Sequence, residues 1–212
     1  IFKPPWNWNS HTNDNPNNSI TLHHCSKELN LVKHSELFFK AKTHLPVLTM
    51  TNKRDDGSIL LSHPSTGTNA KASSVLQNNT KVYGPAKALD CDNALTSWNS
   101  EGSPNGKKES FFIVDFSGAG GRSVTAEELC VQFQAGFAAE EITVFVKKAR
   151  DEPSKWTRVE EIEADDDHEL QSFPLSVADA ITALKIVFDE TTDFYGRVIV
   201  YQLQVWGKEA GE

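Results

Sequence analysis

The sequence is poor in cysteine, methionine and positive charge, and each shortage removes a class of explanation. Its three cysteines, Cys25, Cys91 and Cys130, are odd in number and include no Cys-x-x-Cys pair. That pattern builds neither a disulfide framework nor a zinc site, and it favours a reducing compartment. Cys91 and Cys130 read as small, half-buried apolar residues rather than reactive thiols. Lys and Arg total 21 against 29 Asp and Glu, a net charge of −8. So acidic a chain has no electrostatic footprint for a phosphate backbone, which argues against direct nucleic-acid binding. No apolar run approaches the ~18 residues of a membrane-spanning helix, so no membrane partner is expected. The opening IFKPPWNWNSHTNDNPNN has no basic-then-apolar secretory pattern. Catalytic signatures are missing too: there is no G-x-S-x-G, no H-E-x-x-H and no P-loop, and the GAGG stretch at 118–121 reads as a turn. Of seven histidines only His63 and His168 lie beyond Met50, too few for a convincing acid–base pair. The chain reads as non-enzymatic.

Organisation changes along the chain. Residues 1–70 are rich in Asn, Ser, Thr and His, with unphased apolar bursts such as Leu37-Phe38-Phe39. They read as a low-order leader, with one irregular helical stretch over 26–42. Met50 is the only methionine, and residues 1–49 are read as upstream sequence ahead of a start there. Residues 71–208 carry short strand patterns punctuated by turns, and 209–212 form a tail. Strands are expected over 111–116, 129–133, 142–148, 156–162, 169–173, 184–188 and 197–205. Regular short strands without intervening helical periods argue for an all-β sandwich. A short helix is expected over 176–182 with Ser176 as its N-cap. The acidic run 160–169 reads as a solvated hairpin tip, because it lacks the glycine and terminal glutamate of a calcium-binding EF-hand loop.

Two segments carry the most information. ALDCDNALTSWNS (88–100) is a turn whose Asp90, Asp92 and Asn93 suit side-chain-to-backbone bonding, ending in Trp98, an apolar anchor. TDFYGRVIVYQLQVWG (192–207) is a strand rich in β-branched and aromatic residues, closed by a glycine. Trp98 and Phe194 are expected in the core, with Asp90 bonded to its own loop. Together the segments resemble the opening loop and last strand of a discoidin-type (galactose-binding-like) jelly-roll β-sandwich. Many such domains wrap a structural calcium in the matching loop, and the resemblance would place it on Asp90, Asp92 and Thr96. Here Cys91 replaces a glycine and Gln202 stands where a last-strand acid is usual, so a metal-free, hydrogen-bonded loop with no cofactor is the preferred reading. Extracellular members commonly tie their ends with a cystine; this chain has none at those positions, which again favours a reducing compartment.

The likeness extends further. SSVLQNNTKVYG (73–84), LTSWNSEGSP (95–104), LCVQFQAGF (129–137), LQSFPL (170–175) and TTDFYGRVIVYQLQVWG (191–207) resemble a family of small nuclear-receptor-associated proteins. The family's name-giving member binds and represses a testicular orphan nuclear receptor. The resemblance implies a protein-interaction module, a transcriptional co-regulator in the nucleus and also the cytoplasm, with a nuclear receptor as partner. No L-x-x-L-L segment is present, so the coactivator helix-in-groove mode is unavailable and a sandwich surface or loop rim must make the contact. Phe137, Tyr195 and Arg197 are the loop candidates, with Arg197 expected to pair with Asp193 or Asp189. The alternative is a carbohydrate-binding module using the loop end of the sandwich, for which exposed aromatics such as Tyr195 would serve as platforms.

Overall fold

Period-two alternation becomes two facing antiparallel sheets in the computed structural model, which describes residues 52–93, 95–103, 109–118 and 120–211. The expectations for residues 1–49, the helical stretch over 26–42 and the start at Met50 lie outside the described residues. The strands are β1 (Ile59–Leu60), β2 (Asn69–Ala72), β3 (Trp98–Asn99), β4 (Ser110–Asp115) and β5 (Val124–Phe133). They continue as β6 (Ala139–Lys148), β7 (Thr157–Glu163), β8 (Leu170–Pro174), β9 (Ile181–Thr191) and β10 (Ile199–Glu209). Two single-turn helices, α1 (Thr80–Tyr83) and α2 (Ala86–Leu89), lie between β2 and β3.

One sheet runs β8–β5–β10, with β3 on the free edge of β10 at its start and β1 on the same edge near its end. The other runs β2–β4–β9–β6–β7. A single pairing of Val124 with Ile181 joins them. This is the jelly-roll sandwich that the strand pattern predicts. Its core holds Trp98, Phe112, Phe133 and Phe188, whose rings meet at centroid separations of 5.4–6.0 Å, two of the three contacts edge-to-face. In β4, Phe112 and Val114 point inward while Phe111, Ile113 and Asp115 face out, so alternation sets the layer directly.

Three expectations need correction. The sandwich begins well before residue 71. Lys53 bridges Ile59 across a turn at Gly57, Leu60 and Leu61 are fully buried, and β2 zips onto β4. Arg54 clamps this segment by bonding Glu128 with both guanidinium arms at 2.9 Å while its head lies 4.0 Å above the Trp206 ring. Next, residues 175–180 form an extended link and no helix. Leu175 and Val177 are buried while Ser176 and Ala178 are exposed, so a period of two inserts both apolar residues into the core edge, which a single helical turn would not do. Finally, the acidic run does not tip a hairpin: β7 pairs with β6 and β8 with β5, so residues 164–169 cross from one sheet to the other.

The last strand is also less regular than its sequence suggests. A register shift between Val200 and Gln202 flips its inward face from Val198 and Val200 to Leu203 and Val205. Gln202, Gln204 and Trp206 consequently share the opposite face. There Trp206 Nε1–H donates to Gln204 (2.9 Å) and Gln204 Nε2–H donates to Gln202 (3.0 Å).

Candidate functional site

The Asp90 turn follows α2 directly, and backbone bonds hold it. The Asp90 carbonyl accepts the Asn93 N–H at 3.2 Å, the Asn93 carbonyl accepts the Thr96 N–H at 3.3 Å, and the Asn93 side chain accepts the Leu95 N–H at 3.2 Å. Thr96 Oγ1 lies 3.1 Å from both the Lys87 and the Asn93 carbonyls, to which its hydroxyl donates. Asp92 is turned outward, its carboxylate 3.5 Å from the His63 ring. The Asp90 carboxylate, expected to bond its own loop, makes no hydrogen bond among the described residues; Asn93 and Thr96 take that role. Calcium requires six to eight converging oxygens. Here the Thr96 hydroxyl is spent on carbonyls, Asp92 faces His63, and the Gln202 amide is tied to Gln204. No group of three acidic, histidine or cysteine ligands assembles among the described residues. Asp90, Asp92 and Thr96 as placed do not fit a calcium shell.

Beneath this turn, Trp98 is fully buried and its Nε1–H donates to the Ser74 carbonyl at 2.9 Å. Cys91 and Cys130 line a small cluster with Leu60 and Trp206. Burial pushes the Cys91 thiol up to about 11, and burial together with the Glu128 carboxylate pushes Cys130 up to about 12. Neither is a nucleophile at neutral pH.

A second constellation forms where β10 is about to begin. Asp193 organises a turn: its carboxylate accepts the backbone N–H groups of Tyr195 and Arg197, each at 3.1 Å, and the guanidinium of Arg197 at 3.4 Å. Gly196 supplies the left-handed position, with φ of 71°. Burial alone would raise the Asp193 carboxyl, but the Arg197 backbone and side-chain bonds outweigh it and hold it below its ordinary value. Arg197 therefore pairs with Asp193; Asp189 instead accepts the Thr143 hydroxyl at 3.1 Å. The Arg197 head also lies 4.7 Å from the Phe137 ring centroid. The structure thus brings Phe137, Tyr195 and Arg197 together.

Phe194 overturns its expected burial. It is 82% exposed and stands edge-to-face with Tyr195, 5.3 Å between centroids, at the apex of the Asp193 turn. The apolar sequence reads as strand, yet β10 begins only at Ile199, and the capped turn lifts both rings clear. Facing them, the segment after β3 keeps the antiparallel register, since Ser100 N–H donates to Val198 and Ser103 N–H to Tyr195. Leu76, Glu101, Gly102, Ser103, Tyr195 and Arg197 enclose an open groove of about 390 Å³. Space at Gly102 is tight: a Cβ would lie 3.0 Å from both Arg197 Cγ and Tyr195 Cβ, so a side chain there would make its neighbours give by a few tenths of an ångström. Leu76, Glu101 and Gly102 were not singled out in the sequence; the only signal for them is that Leu76 lies in the SSVLQNNTKVYG stretch and the other two in LTSWNSEGSP.

Beside this rim, where β6 meets β9 and β7, Glu140, Glu141, Glu163, Asp165, Asp166 and Glu190 share one open surface. Glu190 first, and Glu161, Asp189 and Glu163 after it, hold the Glu141 carboxyl above its ordinary value. Among the described residues no helix is long and apolar enough to cross a membrane.

The two-sheet jelly roll is the fold of a discoidin-like domain, and solved structures agree with that fold. The chain is similar to an F5/8 type C domain from Bacteroides fragilis (TM-score 0.57, 15% identity, 68% of this chain and 94% of that one). It is similar also to a family 32 carbohydrate-binding module from the C. perfringens protein NanJ, solved with galactose (TM-score 0.54, 14% identity, 70% and 98%). At such identities the likeness concerns the fold. No family model matches the chain. Among curated proteins it is 32% identical over 140 residues to the nuclear receptor 2C2-associated protein of Bos taurus, covering 66% of this chain and 91% of that protein. The Danio rerio protein of the same name is 32% identical over 142 residues, covering 67% and 92%. The chain belongs to the nuclear receptor 2C2-associated protein family.

Proposed function

We propose that this chain is a non-catalytic protein-interaction module that works in the nucleus and cytoplasm as a repressing co-regulator of a nuclear receptor, which it contacts through the Tyr195 rim. Family membership supports a receptor as the partner. The observation that carries the surface assignment is the Phe194–Tyr195 pair: two large rings held outward by a capped turn, the only exposed aromatics among the described residues, the others being buried or half-buried. Aromatic anchors on a rigid turn are what a protein interface uses, because little conformational freedom is lost on binding. The test is calorimetry of the purified chain with nuclear receptor 2C2, alongside the F194A/Y195A double variant. Binding that falls about tenfold or more in the variant, with an unchanged melting temperature, is expected from loss of a hot-spot pair. No binding by the parent would sink the receptor reading, and equal binding by the variant would move the contact elsewhere. Tethering the chain to a reporter promoter and imaging a tagged copy check repression and localisation.

A second reading, a carbohydrate-binding module, is favoured by one feature: Tyr195 borders an open groove that also offers Glu101 and Ser103 as polar groups. A glycan array with competable binding that is lost in Y195A would replace the first reading with this one.

A further inference from the structure

We infer that the Tyr195 groove takes a basic segment of the protein partner, an Arg- or Lys-containing stretch with apolar neighbours; this rests on the rim being the protein-binding surface. The groove combines an apolar wall, Leu76 and the Tyr195 ring, with the carboxylate of Glu101. One Glu101 oxygen is fixed by the Gln77 N–H at 2.8 Å, which positions the carboxylate, and no cation pairs with it among the described residues. Arg197, the one cation lining the groove among the described residues, is already neutralised by Asp193 and stacked beside Phe137.

Charge complementarity points the same way. Thr191, next to Glu190, pairs with Ala139, and Thr192 N–H donates to Ala138, so the acidic surface of Glu140, Glu141 and Glu190 runs straight into the loop bearing Phe194. Among the described residues lining that surface there are six carboxylates and no cation. A groove with an apolar wall and a carboxylate that pairs with no cation among the described residues attracts a cation carried on an apolar stem, as arginine and lysine provide. A ring as exposed as Phe194 adds a face over which such a cation can sit.

The probe is a fluorescent peptide alternating Arg and Leu, titrated by anisotropy, against a counterpart with Glu for Arg. Binding of the first and not the second is expected, with NMR shifts at Glu101, Gly102 and Tyr195. Affinity should fall roughly tenfold in E101Q and in Y195A, and several-fold on raising salt from low to physiological. Equal binding of both peptides, binding unaffected by Y195A, or displacement by galactose would overturn the inference. A second arm separates it from the receptor reading: E140Q/E141Q/E190Q is titrated with nuclear receptor 2C2. Weakened, less salt-sensitive binding supports a basic contact. Unchanged receptor binding that is still lost in F194A/Y195A overturns the basic-segment inference while the receptor reading stands.

Discussion

At the scale of single residues, stability concentrates in a few side chains that do two jobs. Trp98 fills the centre of the core, touches Phe112 and Phe188, and caps the Ser74 carbonyl through its ring N–H. We predict that Trp98→Ala lowers unfolding free energy by about 3–5 kcal/mol, as large-to-small core changes do. Against a typical domain stability of ~5–15 kcal/mol, that loss would show as a large drop in the urea midpoint. A mild effect would mean the cavity collapses and the tryptophan is not the keystone described. The thiols give a second residue-level test. With Cys91 raised to about 11 and Cys130 to about 12, neither forms thiolate at neutral pH in the folded domain. In a chain with Cys25 replaced by serine, a thiol reagent should label both only at the rate of unfolding. Rapid labelling under native conditions would contradict their burial.

At the scale of elements, the hairpin ahead of β1 depends on a clamp and not on its own propensity, since a two-residue strand fixes little by itself. The Arg54–Glu128 pair supplies that clamp. The Arg54 hydrogen bonds, assisted by Cys130 and Ser172 and opposed by burial, hold the Glu128 carboxyl down to about 2, against 4.5 for an ordinary glutamate. The depressed value lies in the folded state, so the unfolded chain binds the proton more readily. The stabilisation is therefore complete above about pH 4.5 and is lost as pH falls through about 2. Side-chain exposures of 35% for Arg54 and 26% for Glu128 admit screening water. We expect Glu128→Gln to cost about 1–2 kcal/mol at neutral pH, and to flatten the acid limb of a stability–pH curve between these values. An acid limb identical to the parent's would show that the pair contributes nothing.

At the scale of the whole molecule, the sandwich extends further toward the N-terminus than composition implies. Leu61 is fully buried, its N–H donates to Val205, and Ser62 accepts the Val205 N–H. Arg122 fastens the following loop by donating to the Leu61 carbonyl (3.2 Å) and to Thr68 (2.9 Å) while pairing with Glu209 at 2.7 Å. Limited proteolysis should leave a resistant core whose first residue precedes Ile59, read by mass spectrometry of the stable fragment. A core starting near Ala70 would mean that β1 and its clamp come apart in solution. The loop rim sits on this scaffold as a preformed surface, so the receptor and peptide experiments should detect little heat-capacity change beyond that of the contact itself.

The sequence by itself determined the architecture and the long strands. Alternation in LCVQF and ITVFVKK reports the strand period and the inward face without knowledge of the partner, because a pleated strand throws successive side chains to opposite sides; the continuous apolar run FFIVDF marks a strand without naming its inward face. It also marked Tyr195, Arg197 and Phe137, since aromatic and cationic residues beside a Gly turn stand out locally. What it left undetermined has a common cause: local patterns carry no information about pairing. β1 and β3 are two residues long and have no period to read, and β2 is only four residues, Asn69–Ala72. Phe194 looks like strand core until Asp193 caps its turn, and Glu101 meets Tyr195 and Arg197 only because β3 and β10 hold their register past Asn99. The tertiary structure decided these, because contacts between residues nearly a hundred apart are fixed by packing, which no window of sequence contains.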